Sequence, residues 1–305
     1  MTPVRRAEAR RRRAAAGFPP GAGALGGSVV LAVPYGPHES QCADVYVPGG
    51  PGPYPVVALL HGGFWRSSHG RDQMRPLAMD LVRNGFAVVN LEYRRLGESG
   101  GGWPGTLLDA VAGVEFTDWA AGRDGGYLAK LDIERVAIVG HSAGGHLAVW
   151  AAAWLCGFVY PGRRTGQVVV RAVVCLAGVL DLRAAARDAL DCWKHPLPAA
   201  VEFVGGYPDA VDGRYRLGSP MELLPIGREV AQLLVHGEDD EVVPIQQSVR
   251  YARRAAAAGD RVLVARYPRT GHFDMLDPAH QAWRGALAHL REHLGVERGP
   301  GDRAG

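Results

Sequence analysis

A chain of 305 residues, 47% hydrophobic and 21% charged, has a globular composition and length for one large α/β domain or two ordinary ones. Its formal charge of +3 is uneven: residues 1–27 carry Arg5, Arg6, Arg10, Arg11, Arg12 and Arg13 against Glu8, a net +5, which leaves −2 on the rest. A basic arm on a near-neutral body excludes a nucleic-acid-binding domain as the natural reading, four scattered cysteines with no C-x-x-C pair argue against a zinc site or disulfide framework, and no apolar run approaches a membrane span.

In chain order, residues 1–27 read as a flexible Arg-rich arm, too broken by Gly and Pro after the arginines for a signal-peptide core. The expected location is therefore the cytoplasm. Ser28–Val33 and Cys42–Val47 read as strands joined by a turn at Pro34–Pro37, a hairpin. Pro55–Leu60 is a continuous apolar strand that runs straight into His61-Gly62-Gly63-Phe64-Trp65. Asp72–Asn84 has helical spacing at Met74, Leu77, Ala78 and Leu81, with Gly85 as its stop, and Phe86–Tyr93 is the next strand. Pro104 opens a helix through Leu107, Val111, Val114 and Trp119.

Arg135–Val139 is a short β-rich run, followed without a linker by Gly140-His141-Ser142-Ala143-Gly144 and a helix to about Cys156. Val168–Val179 supplies another strand. Residues 181–229 are different, punctuated by Pro and Gly and holding Trp193, Phe203 and Tyr207. Alternation resumes with strand Val230–Val235, helix Pro244–Ala258, strand Arg261–Tyr267 and helix Met275–Leu294. Strands alternating with helices predict a mostly parallel, doubly wound sheet of about eight strands, with the first hairpin as an antiparallel edge.

The strand–turn–helix around Ser142 is a G-x-S-x-G arrangement, which places a serine hydroxyl at a strained turn and the N–H of Ala143 at a helix N-terminus. A serine is a weak nucleophile until a base takes its proton, and the base needs an orienting carboxylate. In an open α/β sheet both belong at strand C-terminal ends. Strand Val230–Val235 leads into Glu238, Asp239, Asp240 and Glu241, and strand Arg261–Tyr267 leads into His272. Composition alone leaves the acid open among those four, with Asp181 as a weaker rival. The backbone N–H of Gly62 or Gly63 is expected to be the second oxyanion donor, paired with that of Ala143.

Taken together these residues resemble the α/β-hydrolase superfamily over roughly residues 28–295. HGGFW at 61–65 with GHSAGGHLA at 140–148 is similar to the kynurenine formamidase and small carboxylesterase branch, whose signature is HGG-x-W. The loop G-x-x-D-x-x-V-P, matched by Gly237, Asp240, Val243 and Pro244, implies Asp240 as the acid, and GHF at 271–273 matches the histidine loop. The hormone-sensitive-lipase branch fits less well, since Phe64 replaces its third glycine and His141 its usual Asp.

The resemblance implies one α/β-hydrolase domain over 28–295 with a short cap at about 181–229 and a flexible tail at 296–305. The implied enzyme is a serine hydrolase of small carboxylic esters or aryl-formamides, using Ser142, His272 and Asp240, with no metal or other cofactor. An acyltransferase or cyclase using the same groups, and a non-catalytic binding protein on the same fold, are the alternatives. The expected partner is a small-molecule ester or amide, with no nucleic acid and no membrane; a homodimer is left open. Phe64, Trp65, Trp193, Phe203 and Tyr207 are expected to form an apolar slot for an aromatic substrate. The competing expectation is that the cap aromatics anchor an irregular loop to the body.

Overall fold

The computed structural model describes residues 29–122, 126–156, 168–188 and 196–297. The arm at 1–27, Trp193 and most of the tail at 296–305 lie outside them.

Among the described residues, eight strands form one sheet in the order β1-β2-β4-β3-β5-β6-β7-β8. β1 (Val29–Pro34) and β2 (Cys42–Val47) are the expected hairpin, and β2 is also antiparallel to β4 (Ala87–Leu91). β3 (Tyr54–Leu60), β4, β5 (Leu131–His141), β6 (Val170–Leu176), β7 (Ala231–Gly237) and β8 (Val262–Tyr267) run parallel. Parallel central strands are apolar on both faces because both are covered. In β3, Val56, Ala58 and Leu60 join one core while Val57 and Leu59 join the other, the two-residue period of a pleated strand.

α1 (Arg75–Arg83) and α8 (Gln281–Leu294) cover one face, with Leu77, Leu81, Trp283 and Leu290 buried in its core. α2 (Gly105–Ala121), α3 (Ala143–Leu155) and α7 (Gln246–Ala257) cover the other. Every residue of α3 from Ala143 to Ala153 is buried, as expected of a helix apolar all round. α2 packs beside it, and Trp150 Nε1 donates to Leu217 O in the cap segment.

Two helical expectations are corrected. The segment 72–84 is a 3₁₀ turn at Arg71–Met74 followed by α1, because Pro76 belongs in a first helical turn. The segment 275–294 is a 3₁₀ turn at Asp274–Leu276 and then α8, since Pro278 interrupts the ladder and His280 caps the new helix at Ala282 N. The cap contributes α4 (Leu182–Arg187), α5 (Ala199–Val204) and α6 (Asp212–Gly218). Among the described residues no helix is long and apolar enough to cross a membrane.

Candidate active site

Ser142 sits between β5 and α3 with φ 57 and ψ −120, a conformation costly for a residue with a Cβ, at about 1–3 kcal/mol. Close approach explains the flanking glycines. A Cβ on Gly140 would lie 2.0 Å from Gly144 O, and one on Gly144 would lie 2.1 Å from Leu60 O of β3. The turn is held by Ser142 N–H donating to Leu176 O at 2.8 Å. Ala143 is the first residue of α3, where an N–H has no acceptor within the helix.

His272 follows β8 and is buried, with Nδ1 2.8 Å from Asp240 Oδ2. Among the four adjacent acids, Glu238, Asp239 and Glu241 are exposed, while the Asp240 carboxyl is wholly shielded. Its Oδ1 accepts from Val242 N at 2.9 Å and Val243 N at 2.8 Å. Its Oδ2 also lies 3.3 Å from His236 Nε2. Burial alone would raise the Asp240 pKa, but hydrogen bonds from His236, His272 and the Val243 N–H outweigh it and hold the carboxyl well below the usual range. An ionised Asp240 accepts the Nδ1 proton of His272 and leaves Nε2 as the basic nitrogen. Asp181 instead caps α4, accepting from Ala184 N at 2.9 Å.

The pieces meet through His141. Its Nε2 lies 2.9 Å from His272 O, so the turn that carries Ser142 is hydrogen-bonded to the loop that carries His272. Gly62 faces the same turn, since a Cβ there would lie 3.0 Å from Ser142 Cβ and 2.9 Å from His141 Nδ1. Gly62 N–H, however, donates to Gln73 Oε1 at 2.7 Å, so of the two expected glycine donors only Gly63 keeps an N–H that this contact does not use. Gly63, Phe64 and Trp65 all have positive φ, at 109, 52 and 58, which makes this loop a tight, strained bend.

The aromatic slot is corrected for two of its members. Trp65 and Phe203 are each 1% exposed and stack on one another, with ring centroids 4.5 Å apart. Cap helix α5 lies on the bend after Gly63, and the two large rings fill the gap instead of lining an opening. Arg66 and Glu202 pair at 2.7 Å along the same junction. Trp65 Nε1 donates to His146 Nδ1 at 3.2 Å, and His146 Nε2 donates to Gly218 O at 2.8 Å, so a histidine with no obvious role in the sequence locks bend, α3 and cap together. Phe64 is half-buried beside the Arg66 guanidinium, 6.0 Å from its ring centre, and Tyr207 is 51% exposed after α5. Phe273, assigned no substrate contact from the sequence, is 59% exposed and edge-on to His272. Among the described residues no cluster of His, Cys, Asp and Glu is arranged to hold a metal ion.

Two of the buried histidines, His141 and His146, contribute to an acid limit on stability. Burial, together with the neighbouring His272, pushes His141 down to about 3, and burial pushes His146 down to about 4 despite its bond to Gly218. Both lie below the unfolded value of about 6.5, so their contribution is complete above that pH and is lost as pH falls towards the folded values. These two rings bind two protons only on unfolding and should lower stability by up to about 2.7 kcal/mol per pH unit between about pH 6 and 4, and His289, lowered to about 4 chiefly by its burial, steepens the fall. Denaturant melts from pH 7 to 4 check this. A midpoint unchanged between pH 7 and 5 would contradict two neutral buried rings.

The BD-FAE family model matches residues 43–254. The chain is 28% identical over 265 residues to the probable carboxylic ester hydrolase LipM of Mycobacterium tuberculosis, covering 82% of this chain and 58% of that one. It is 38% identical to the kynurenine formamidase of Danio rerio over 65 residues, 21% of this chain and 22% of that one. The chain spans 57–62% of the length of three mycobacterial relatives that it matches. Esterase B of Lactobacillus rhamnosis shares the fold, with a TM-score of 0.73 at 17% identity, over 96% of this chain and 92% of that one.

Proposed function

The chain belongs to the BD-FAE family, with an α/β-hydrolase-like fold, and on that premise we propose that it is a serine hydrolase of small carboxylic esters. The observation that carries the reading is the hydrogen bond between the shielded Asp240 carboxyl and His272 Nδ1 at 2.8 Å, in a loop bonded to the turn of Ser142. In this mechanism His272 Nε2 takes the Ser142 proton as the hydroxyl oxygen attacks the ester carbonyl. The N–H groups of Gly63 and Ala143 receive the developing oxyanion. His272 returns the proton to the leaving alcohol, and the acyl group stays on Ser142. Water then attacks that acyl ester, giving a proton to His272, which returns it to Ser142 Oγ as the acid departs.

Esters are placed ahead of aryl-formamides because likeness to the ester hydrolase LipM runs along 82% of the chain at 28% identity, whereas likeness to the kynurenine formamidase avaC of Aspergillus versicolor runs along 64% at 27%. A panel of p-nitrophenyl esters with short acyl chains, alongside N-formylkynurenine, tests the ranking. The expected result is kcat/KM at least tenfold higher for the best ester than for the formamide. The reverse order would move the assignment to formamide hydrolysis, and turnover of neither would overturn it.

A further inference from the structure

We infer that Glu92 and Gln73 are positioning residues that aim the Gly63 N–H at the nucleophile, by pinning Gly62 from its two sides. The inference rests on the serine-hydrolase reading above. Gly62 N–H donates to Gln73 Oε1 at 2.7 Å, and Gly62 O lies 2.7 Å from His61 Nδ1. A carbonyl oxygen only accepts, so Nδ1 carries a proton. In a trans peptide the C=O and the next N–H point in opposite directions. With the Gly62 carbonyl turned inward to His61, the Gly63 N–H is turned away from that ring.

His61 in turn has no freedom to release the carbonyl. Its Nε2 lies 2.7 Å from Glu92 Oε1, and a further proton is held between them. Tyr93 lies flat against the ring, with centroids 4.3 Å apart and planes 9° apart, and its hydroxyl donates to His61 O at 2.7 Å. Glu92 is itself fixed from every side. Arg95 reaches the same oxygen at 3.1 Å, while Arg71 N–H donates to the other at 3.1 Å, with the Arg71 guanidinium 3.8 Å away. Tyr93 N–H approaches Oε1 at 3.3 Å.

Burying a carboxylate and an imidazole together is expensive even when they are paired, and an apolar pair of similar volume would give the fold equal or greater stability. No step of the proposed reaction uses Glu92 or Gln73 directly. The pair holds the peptide plane between Gly62 and Gly63, and Gln73 holds the plane before it, so that neither rotates readily about the glycine between them. Loss of one oxyanion donor costs about 10²–10³ in kcat, so a donor that is present but misaimed should cost less than that.

The test uses the full chain, with the concentration of reactive serine titrated by a fluorophosphonate and turnover of p-nitrophenyl acetate measured per titrated site. Glu92→Leu and Gln73→Leu should each lower kcat per site at least tenfold with KM within about twofold. Gln73→Glu keeps an acceptor for the Gly62 N–H and should return kcat to within about threefold of wild type. Should Glu92→Leu fail to fold, the half-buried Gln73 pair decides alone. Unchanged kcat per site with a lowered melting temperature, or Gln73→Glu as impaired as Gln73→Leu, would overturn the inference while leaving the hydrolase reading intact. A wild type that neither titrates nor turns over ester would overturn both.

Discussion

Ser142→Ala should lower kcat on a short-chain p-nitrophenyl ester by about 10⁴-fold or more, with the melting temperature within a few degrees of wild type. The expectation comes from the position of the side chain. Ser142 occupies the strained turn at φ 57 between β5 and α3, and an alanine there keeps the Cβ, the backbone strain and the N–H bond to Leu176 O. Only the nucleophilic oxygen is removed. The remaining activity comes from oxyanion donors and binding, which act without the serine. Steady-state kinetics on the purified variant, with a melt on the same preparation, check the outcome. Wild-type turnover in the variant would place the nucleophile elsewhere.

Asp240→Asn should lower kcat by about 10³–10⁴-fold, and the local hydrogen bonds explain why an almost isosteric change is so damaging. Val242 N–H and Val243 N–H both donate to Oδ1. An asparagine must keep its oxygen there, because its NH₂ cannot accept. The NH₂ is then turned towards His272 Nδ1, which becomes the acceptor, and the proton moves to Nε2. A ring protonated at Nε2 cannot take the serine proton. Asp239→Asn provides the internal control, since that side chain is exposed, and it should change kcat by less than about threefold. Equal losses at the two positions would contradict the assignment of the acid.

The elements legible in the sequence are those with strong local causes. Apolar runs such as Pro55–Leu60 and Val230–Val235 have few alternatives to buried strands, and all eight strands appear within a few residues of the reading. The turn at Ser142 was legible because its glycines are demanded by backbone contacts of about 2 Å. The acid was not legible from composition, because four neighbouring carboxylates differ only in which one the loop turns inward. That choice came from the resemblance of the loop. Helix breaks at Arg71–Met74 and Asp274–Leu276 were missed because apolar spacing carries on across a proline.

The remaining misses are tertiary. Trp65 and Phe203 lie 138 positions apart, and nothing local distinguishes rings that stack under a cap from rings that line a slot. His61 and Glu92 come from successive parallel strands, so their contact depends on the register that places Leu60 beside Leu91. His146 lies inside α3, where helical spacing marks it as one more buried position, yet its two ring bonds join the bend, α3 and the cap. In each case the partner is remote in sequence, which periodicity cannot detect.

The most direct test of the central claim is to treat the folded protein with a fluorophosphonate, digest it, and map the adduct by mass spectrometry while following ester turnover. One adduct is expected, on Ser142, with turnover lost in proportion to labelling. An adduct on a different serine, or full ester turnover after complete labelling of Ser142, would contradict it.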